Sequence, residues 1–123
     1  MSKKILIVDD EPNIVISLEF LIKKEGFTVA VAADGEEALA KVAEFSPDLI
    51  LLDVMMPKKS GFEVCEALRA DPQQSGLKII MLTAKGRDTE MAKGLALGAD
   101  AYMTKPFSTK DLIARIREVL ALA

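Results

Sequence analysis

The sequence predicts an α/β fold, with a parallel five-stranded sheet covered by helices on both faces. Three observations predict it. Residues 47–53, Pro-Asp-Leu-Ile-Leu-Leu-Asp, carry four consecutive large aliphatic residues into a carboxylate, and a turn follows at Val54-Met55-Met56-Pro57. An apolar run so bounded reads as a strand buried on both faces. The opening run Lys4-Ile5-Leu6-Ile7-Val8 repeats the pattern and ends in Asp9-Asp10-Glu11. Between such runs, apolar residues recur at helical spacing.

The elements follow in order. After the first strand, Pro12 suits the first turn of a helix, and Ile14, Val15, Leu18, Leu21 and Ile22 form its apolar face up to Lys24, with Gly26 as its stop. Thr28–Ala32 is a short second strand. Asp34-Gly35 opens a second helix with Ala38, Leu39, Val42 and Phe45 on one face. The Asp53 strand comes third. A polar loop, Lys58-Lys59-Ser60-Gly61, leads to a helix with Phe62, Val64, Cys65 and Leu68. Residues 71–76 read as a loop and not a domain boundary. Lys78–Leu82 is the fourth strand, ending at Thr83-Ala84. Residues 88–97 form a helix stopped by Gly98. Ala101-Tyr102-Met103 is the fifth strand, followed by Thr104-Lys105-Pro106. Ser108 caps a last helix carrying Leu112, Ile113, Ile116, Val119 and Leu120. Residues 1–123 therefore read as a single domain. Strand order 2-1-3-4-5 suits such an alternation.

Composition narrows the function. The chain contains no histidine, which excludes histidine acid/base catalysis, histidine metal ligands and a histidine nucleophile. A net charge of −3 opposes a general grip on nucleic acid or an anionic membrane. The single cysteine, Cys65, cannot form an internal disulfide, which suits a reducing, cytoplasmic setting. No apolar run approaches membrane-spanning length, and no signal-peptide pattern opens the chain.

In the expected topology the strands' carboxyl ends converge. Asp9 and Asp10 come from strand one, Asp53 from strand three, Thr83 from strand four and Lys105 from strand five. Each has an ordinary reading alone, as a helix-start acid, a turn residue, a cap or a surface lysine. Their joint placement favours a site. Three close carboxylates repel one another. A hard divalent cation relieves that repulsion, and oxygen-only ligands favour Mg²⁺.

The chain resembles a response-regulator receiver domain of two-component signalling, a flavodoxin-like doubly wound (βα)₅ fold, across roughly residues 4 to 121. The resemblance rests on Ile5-Leu6-Ile7-Val8-Asp9-Asp10-Glu11, Asp53 with Met56-Pro57 and Gly61, Leu82-Thr83-Ala84, Gly98-Ala99-Asp100-Ala101-Tyr102 and Lys105-Pro106-Phe107. It implies that Asp53 is the phosphoacceptor. Asp10, Asp53 and the backbone carbonyl of Met55 would bind Mg²⁺, with Asp9 positioning the ion through water. Thr83, Lys105 and the backbone N–H groups of Met55 and Ala84 would contact the phosphoryl group. The Lys105–Pro106 bond is expected to be cis. The donor would be a phosphohistidine on a sensor histidine kinase or phosphotransfer protein. Thr83 and Tyr102 would move together on phosphorylation and alter binding of a downstream effector. In receivers, Met55 and Lys85 occupy positions that tune phosphoryl lifetime.

The last helix resembles that of receivers fused to winged-helix domains, which dimerise through ion pairs. Met91, Leu97 and Ala101 stand where charged members of those pairs are expected. That leaves Arg115 without its acidic partner and predicts a monomer or weak dimer, with Met91 and Leu97 as a candidate exposed apolar patch. Two alternatives differ in class. A Mg²⁺-dependent phosphatase of the haloacid-dehalogenase type wants a second Asp where Met55 stands. An unphosphorylated receiver-like interaction module predicts a broken site, yet Asp10, Asp53, Thr83 and Lys105 are all present. The first alternative would be a turnover enzyme; the phosphoacceptor is not.

Overall fold

Alternating buried runs and amphipathic segments fold as the sequence predicts. A computed structural model describes residues 3–56, 58–84, 88–105 and 107–122, with the backbone alone at 84 and 88–91. Its elements are β1 (Lys4–Val8), α1 (Pro12–Lys24), β2 (Thr28–Ala32), α2 (Gly35–Phe45), β3 (Leu49–Asp53), α3 (Gly61–Ala70), β4 (Lys78–Ala84), α4 (Asp88–Ala96), β5 (Ala101–Lys105) and α5 (Thr109–Val119). The sheet order is β2-β1-β3-β4-β5, with every pairing parallel.

The pleat sorts each strand between two cores. Ile5, Ile7, Leu49, Leu51, Ile80 and Leu82 pack with Leu18 and Ile22 of α1 and Leu112 and Ile116 of α5. Leu6, Val8, Ile50, Leu52, Ile79 and Met81 pack with Ala38 and Val42 of α2 and Val64, Cys65 and Leu68 of α3. All five residues of β3 are buried, which explains its unbroken aliphatic run.

Local signals set the helix starts. Asp34 accepts from Glu37 N (2.8 Å) before α2, and Ser108 accepts from Asp111 N (3.0 Å) before α5. Ser60 and Glu63 form a reciprocal capping box on α3. The 71–76 loop contains a short 3₁₀ turn, Pro72–Gln74, which Asp71 caps by accepting from Gln73 N at 2.9 Å. β4 and β5 run on to Ala84 and Lys105, and that extension carries Thr83 and Lys105 to the rim as strand residues.

A polar knot ties the opposite rim. Arg69 of α3 donates from Nε to Gly98 O (2.8 Å), from Nη1 to Leu77 O (2.8 Å) and from Nη2 to Asp100 Oδ2 (2.7 Å). The same Asp100 oxygen accepts from Ile79 N at 2.8 Å. The α4–β5 turn is thereby fixed to β4.

One expectation about the last helices changes. Leu97 is half-buried and packs against the α2/α3 core, so it does not extend an exposed patch; Leu95 is an exposed large apolar residue of α4 among those described. The Met91 side chain lies outside the description. Arg115 has an acidic partner one turn away in its own helix, Glu118, at 3.1 Å.

Candidate functional site

Asp9 follows β1 directly. Its N–H donates to Ala32 O (3.2 Å), and its Oδ1 accepts from Glu11 N (2.9 Å), closing an Asx-type turn that launches α1. The turn holds the Asp9 carboxylate inside the protein, while Asp10 points to solvent. Asp53 ends β3 and is 6% exposed. One carboxylate oxygen from each of Asp9, Asp10 and Asp53 lies within 4.8 Å of the others.

Lys105 bridges two of these acids. Its Nζ donates to Asp9 Oδ2 at 3.0 Å and to Asp53 Oδ1 at 3.3 Å. Burial, together with the charge of Asp9, pushes the Asp53 carboxyl up to about 6 despite the lysine beside it. Burial opposes the charge on Lys105, but its hydrogen bond to Asp9 and the charges of Asp53 and Asp9 outweigh that, and its pKa is raised. The donor set is hard oxygen with excess negative charge, so the residues present fit Mg²⁺.

The backbone at Asp53 and Val54 is held tightly. Val54 N donates to Leu82 O (3.1 Å), and Gly61 N donates to Val54 O (2.9 Å). A side chain at Gly61 would strike the carbonyl oxygen of Asp53, so only glycine permits the first turn of α3 to approach so closely. Lys58, at φ 67°, turns the intervening loop, and its ammonium lies 3.7 Å from Asp34 Oδ2 at the start of α2.

The remaining expected residues are placed as follows. Thr83 is buried on β4, opposite Thr104 of β5. Tyr102 pairs with Met81 and packs against the α2/α3 core, on the same sheet face as Thr83. Ala84 closes β4 opposite Lys105. Met55 is 62% exposed, two positions after Asp53. Lys85 and Pro106, and with Pro106 the expected cis bond, lie outside the described residues. The strand ends thus bring Asp9, Asp10, Asp53 and Lys105 together, with Thr83 on the adjacent strand. Sequence reasoning missed the direct Asp9–Lys105 pair and the close approach of Gly61 to the Asp53 backbone. The signal for the second was a glycine at the first position of a helix.

A parallel sheet whose carboxyl rim gathers three acids and a lysine defines a class of protein, the signal-receiving domains of two-component systems. The family described as "Response regulator receiver domain" matches residues 5–117, and the chain belongs to it. The chain is 51% identical over 120 residues to the alkaline phosphatase synthesis transcriptional regulatory protein PhoP of Bacillus subtilis (strain 168), covering 98% of this chain and 49% of that protein. It is 48% identical over 117 residues to the DNA-binding response regulator MtrA of Mycolicibacterium smegmatis, covering 95% and 50%. The chain therefore spans about half the length of these relatives. Among solved structures, a CheY-like receiver domain protein from Methanospirillum hungatei JF-1 superposes with a TM-score of 0.92 at 36% identity, covering 98% of this chain and 95% of that one. Domains of this family are signalling switches that work with histidine kinases and downstream effectors and typically depend on Mg²⁺. Among the described residues, no helix is long and apolar enough to cross a membrane.

Proposed function

We propose that residues 1–123 form one phosphoacceptor switch in which Asp53 takes a phosphoryl group from a phosphohistidine of a sensor histidine kinase or phosphotransfer protein. The observation that carries this reading is the Lys105 ammonium bridging Asp9 and Asp53, with Asp10 completing the acid cluster. An Asp53 oxygen attacks phosphorus, the P–N bond breaks, and the imidazole leaves with the electron pair. The protein's task is alignment and charge neutralisation. Lys105 sits where it would neutralise a phosphoryl oxygen, and Thr83 and the N–H groups of Met55 and Ala84 would donate to the others. Asp10, Asp53 and the carbonyl of Met55 would hold Mg²⁺, with Asp9 behind them. The ion, when bound, supplies charge compensation to the acids and to the transferred group.

Phosphorylation at Asp53 draws Thr83 toward the site. Tyr102, on the same sheet face, follows, and the surface formed by α4, β5 and α5 changes its affinity for an effector. The site is spent on the chain's own residue, so it turns over no external substrate. The single cysteine suits a reducing, cytoplasmic setting, and a net charge of −3 opposes a general grip of the receiver part on nucleic acid or an anionic membrane. The Arg115–Glu118 pair within α5 occupies a residue that an intermolecular pair would need, and supports a monomer or weak dimer. The test is incubation with a small phosphodonor and Mg²⁺. The parent takes one label per chain and Asp53→Asn takes none; undiminished labelling of that variant refutes the reading.

A further inference from the structure

We propose that Gly94 is a positioning residue for the switch: the missing side chain at this point of α4 gives the Tyr102 ring its inward seat. The proposal rests on the receiver reading for the meaning of the ring's movement, but not for the seat itself. Gly94 is buried within α4, where glycine weakens a helix relative to alanine. A Cβ at this position would stand 2.9 Å from Met81 Sδ, 3.0 Å from Tyr102 Cε2 and 3.3 Å from Tyr102 Cδ2. Met81 and Tyr102 are register partners on β4 and β5, and the Tyr102 hydroxyl oxygen is buried. Helix backbone, thioether and ring therefore interlock at a point where no extra carbon fits.

α4 cannot simply back away. Ala99 N donates to Gly94 O (3.1 Å), and the turn that follows is fixed by Arg69 on Gly98 O (2.8 Å) and by Asp100 N on Ile79 O (2.8 Å). On the neighbouring position, the Lys93 ammonium sits 4.6 Å from the centre of the Phe62 ring on α3. The Met81 thioether can swing aside, but the ring edge remains. Relief comes from rotating Tyr102 outward, into the surface cavity it shares with Thr104, Phe107, Asp111 and Arg115. A side chain at position 94 thus biases the ring toward the outward position whatever the state of Asp53.

The chain has one tyrosine and no tryptophan, so tyrosine emission reports on Tyr102 alone. In Gly94→Ala, acrylamide quenching of tyrosine should rise toward that of free tyrosine before any phosphorylation. Asp53 should still take label from a small phosphodonor, but the label-dependent change in the tyrosine signal should be lost. A second comparison removes the ring. In a Tyr102→Leu background, Gly94→Ala should raise the folding equilibrium constant roughly fivefold through helix propensity, whereas with Tyr102 present that gain should vanish. Parent-like quenching in Gly94→Ala, or the same gain in both backgrounds, overturns the proposal. A parent that takes no label overturns the functional reading instead, and the quenching comparison still decides the seat.

Discussion

Lys105 and Asp9, separated by 96 positions in the sequence, meet in a 3.0 Å ion pair at the rim of the sheet, and the Asp9 partner is fully buried. A second carboxylate, Asp53, lies 3.3 Å from the same nitrogen. The lysine therefore holds two acids together before any reaction begins.

Removing that charge should separate two functions. Lys105→Ala is expected to slow labelling of Asp53 by roughly 10²-fold, the usual loss for one electrostatic stabiliser of a transition state. It should also tighten Mg²⁺ binding, since the carboxylates lose their competing cation. Rates from a small phosphodonor and a calorimetric Mg²⁺ titration check both, and an unchanged labelling rate would count against Lys105 as a phosphoryl contact.

Asp53 makes stability depend on pH. Its pKa rises from an ordinary 3.8 to about 6 in the folded chain. The folded state thus holds the proton more tightly than the unfolded state. This contribution to stability is full below about pH 4 and is lost as pH rises through about 6. Asp53→Asn should remove that slope and stabilise the metal-free protein at pH 7 by roughly 1–2 kcal/mol. Added Mg²⁺ should raise the parent's melting temperature more than the variant's. Parallel melting curves against pH for the two proteins would refute the assignment.

The close approach at α3 predicts a steep cost for one methyl group. In Gly61→Ala the new carbon meets the Asp53 carbonyl, backbone that no rotamer change can move. We expect a loss of roughly 1–3 kcal/mol and slower labelling, because the displaced group is the peptide of Asp53, the proposed acceptor. Denaturant midpoints and labelling rates measure the two effects; a neutral substitution would show that α3 shifts freely.

The knot at the far rim predicts the reverse pattern. Arg69→Met leaves the carbonyls of Gly98 and Leu77 and the Asp100 carboxylate without the guanidinium. Stability should fall by about 2 kcal/mol. Labelling of Asp53 should be unaffected, since the knot ties the amino ends of the strands. Asp100→Asn should cost less, because its amide oxygen can still accept from Ile79 N. Equal losses in the two variants would argue that the Arg69–Asp100 contact itself dominates.

The strands and their terminal acids were legible because a buried parallel strand writes its burial into an unbroken aliphatic run, as in Leu49–Leu52. Once the strand order is fixed, period-two alternation places Asp9, Asp53 and Lys105 without further information. The Arg69 knot was not legible. Asp100 is 31 positions away, and nothing local marks one arginine in α3 as reaching across. Leu97 reads as a surface residue at the end of a helix until the α4–β5 turn folds it onto the core. The Arg115–Glu118 pair is written in the sequence as an i,i+3 spacing of opposite charges on α5.

Gly76, in the loop between α3 and β4, has open space where a side chain would begin, with no heavy atom within 4 Å. That loop sits at the rim farthest from Asp53. A fluorophore or a grafted peptide mounted there would ride on the molecule as passive cargo, so the domain can be built into a sensor whose read-out hardware never touches its chemistry.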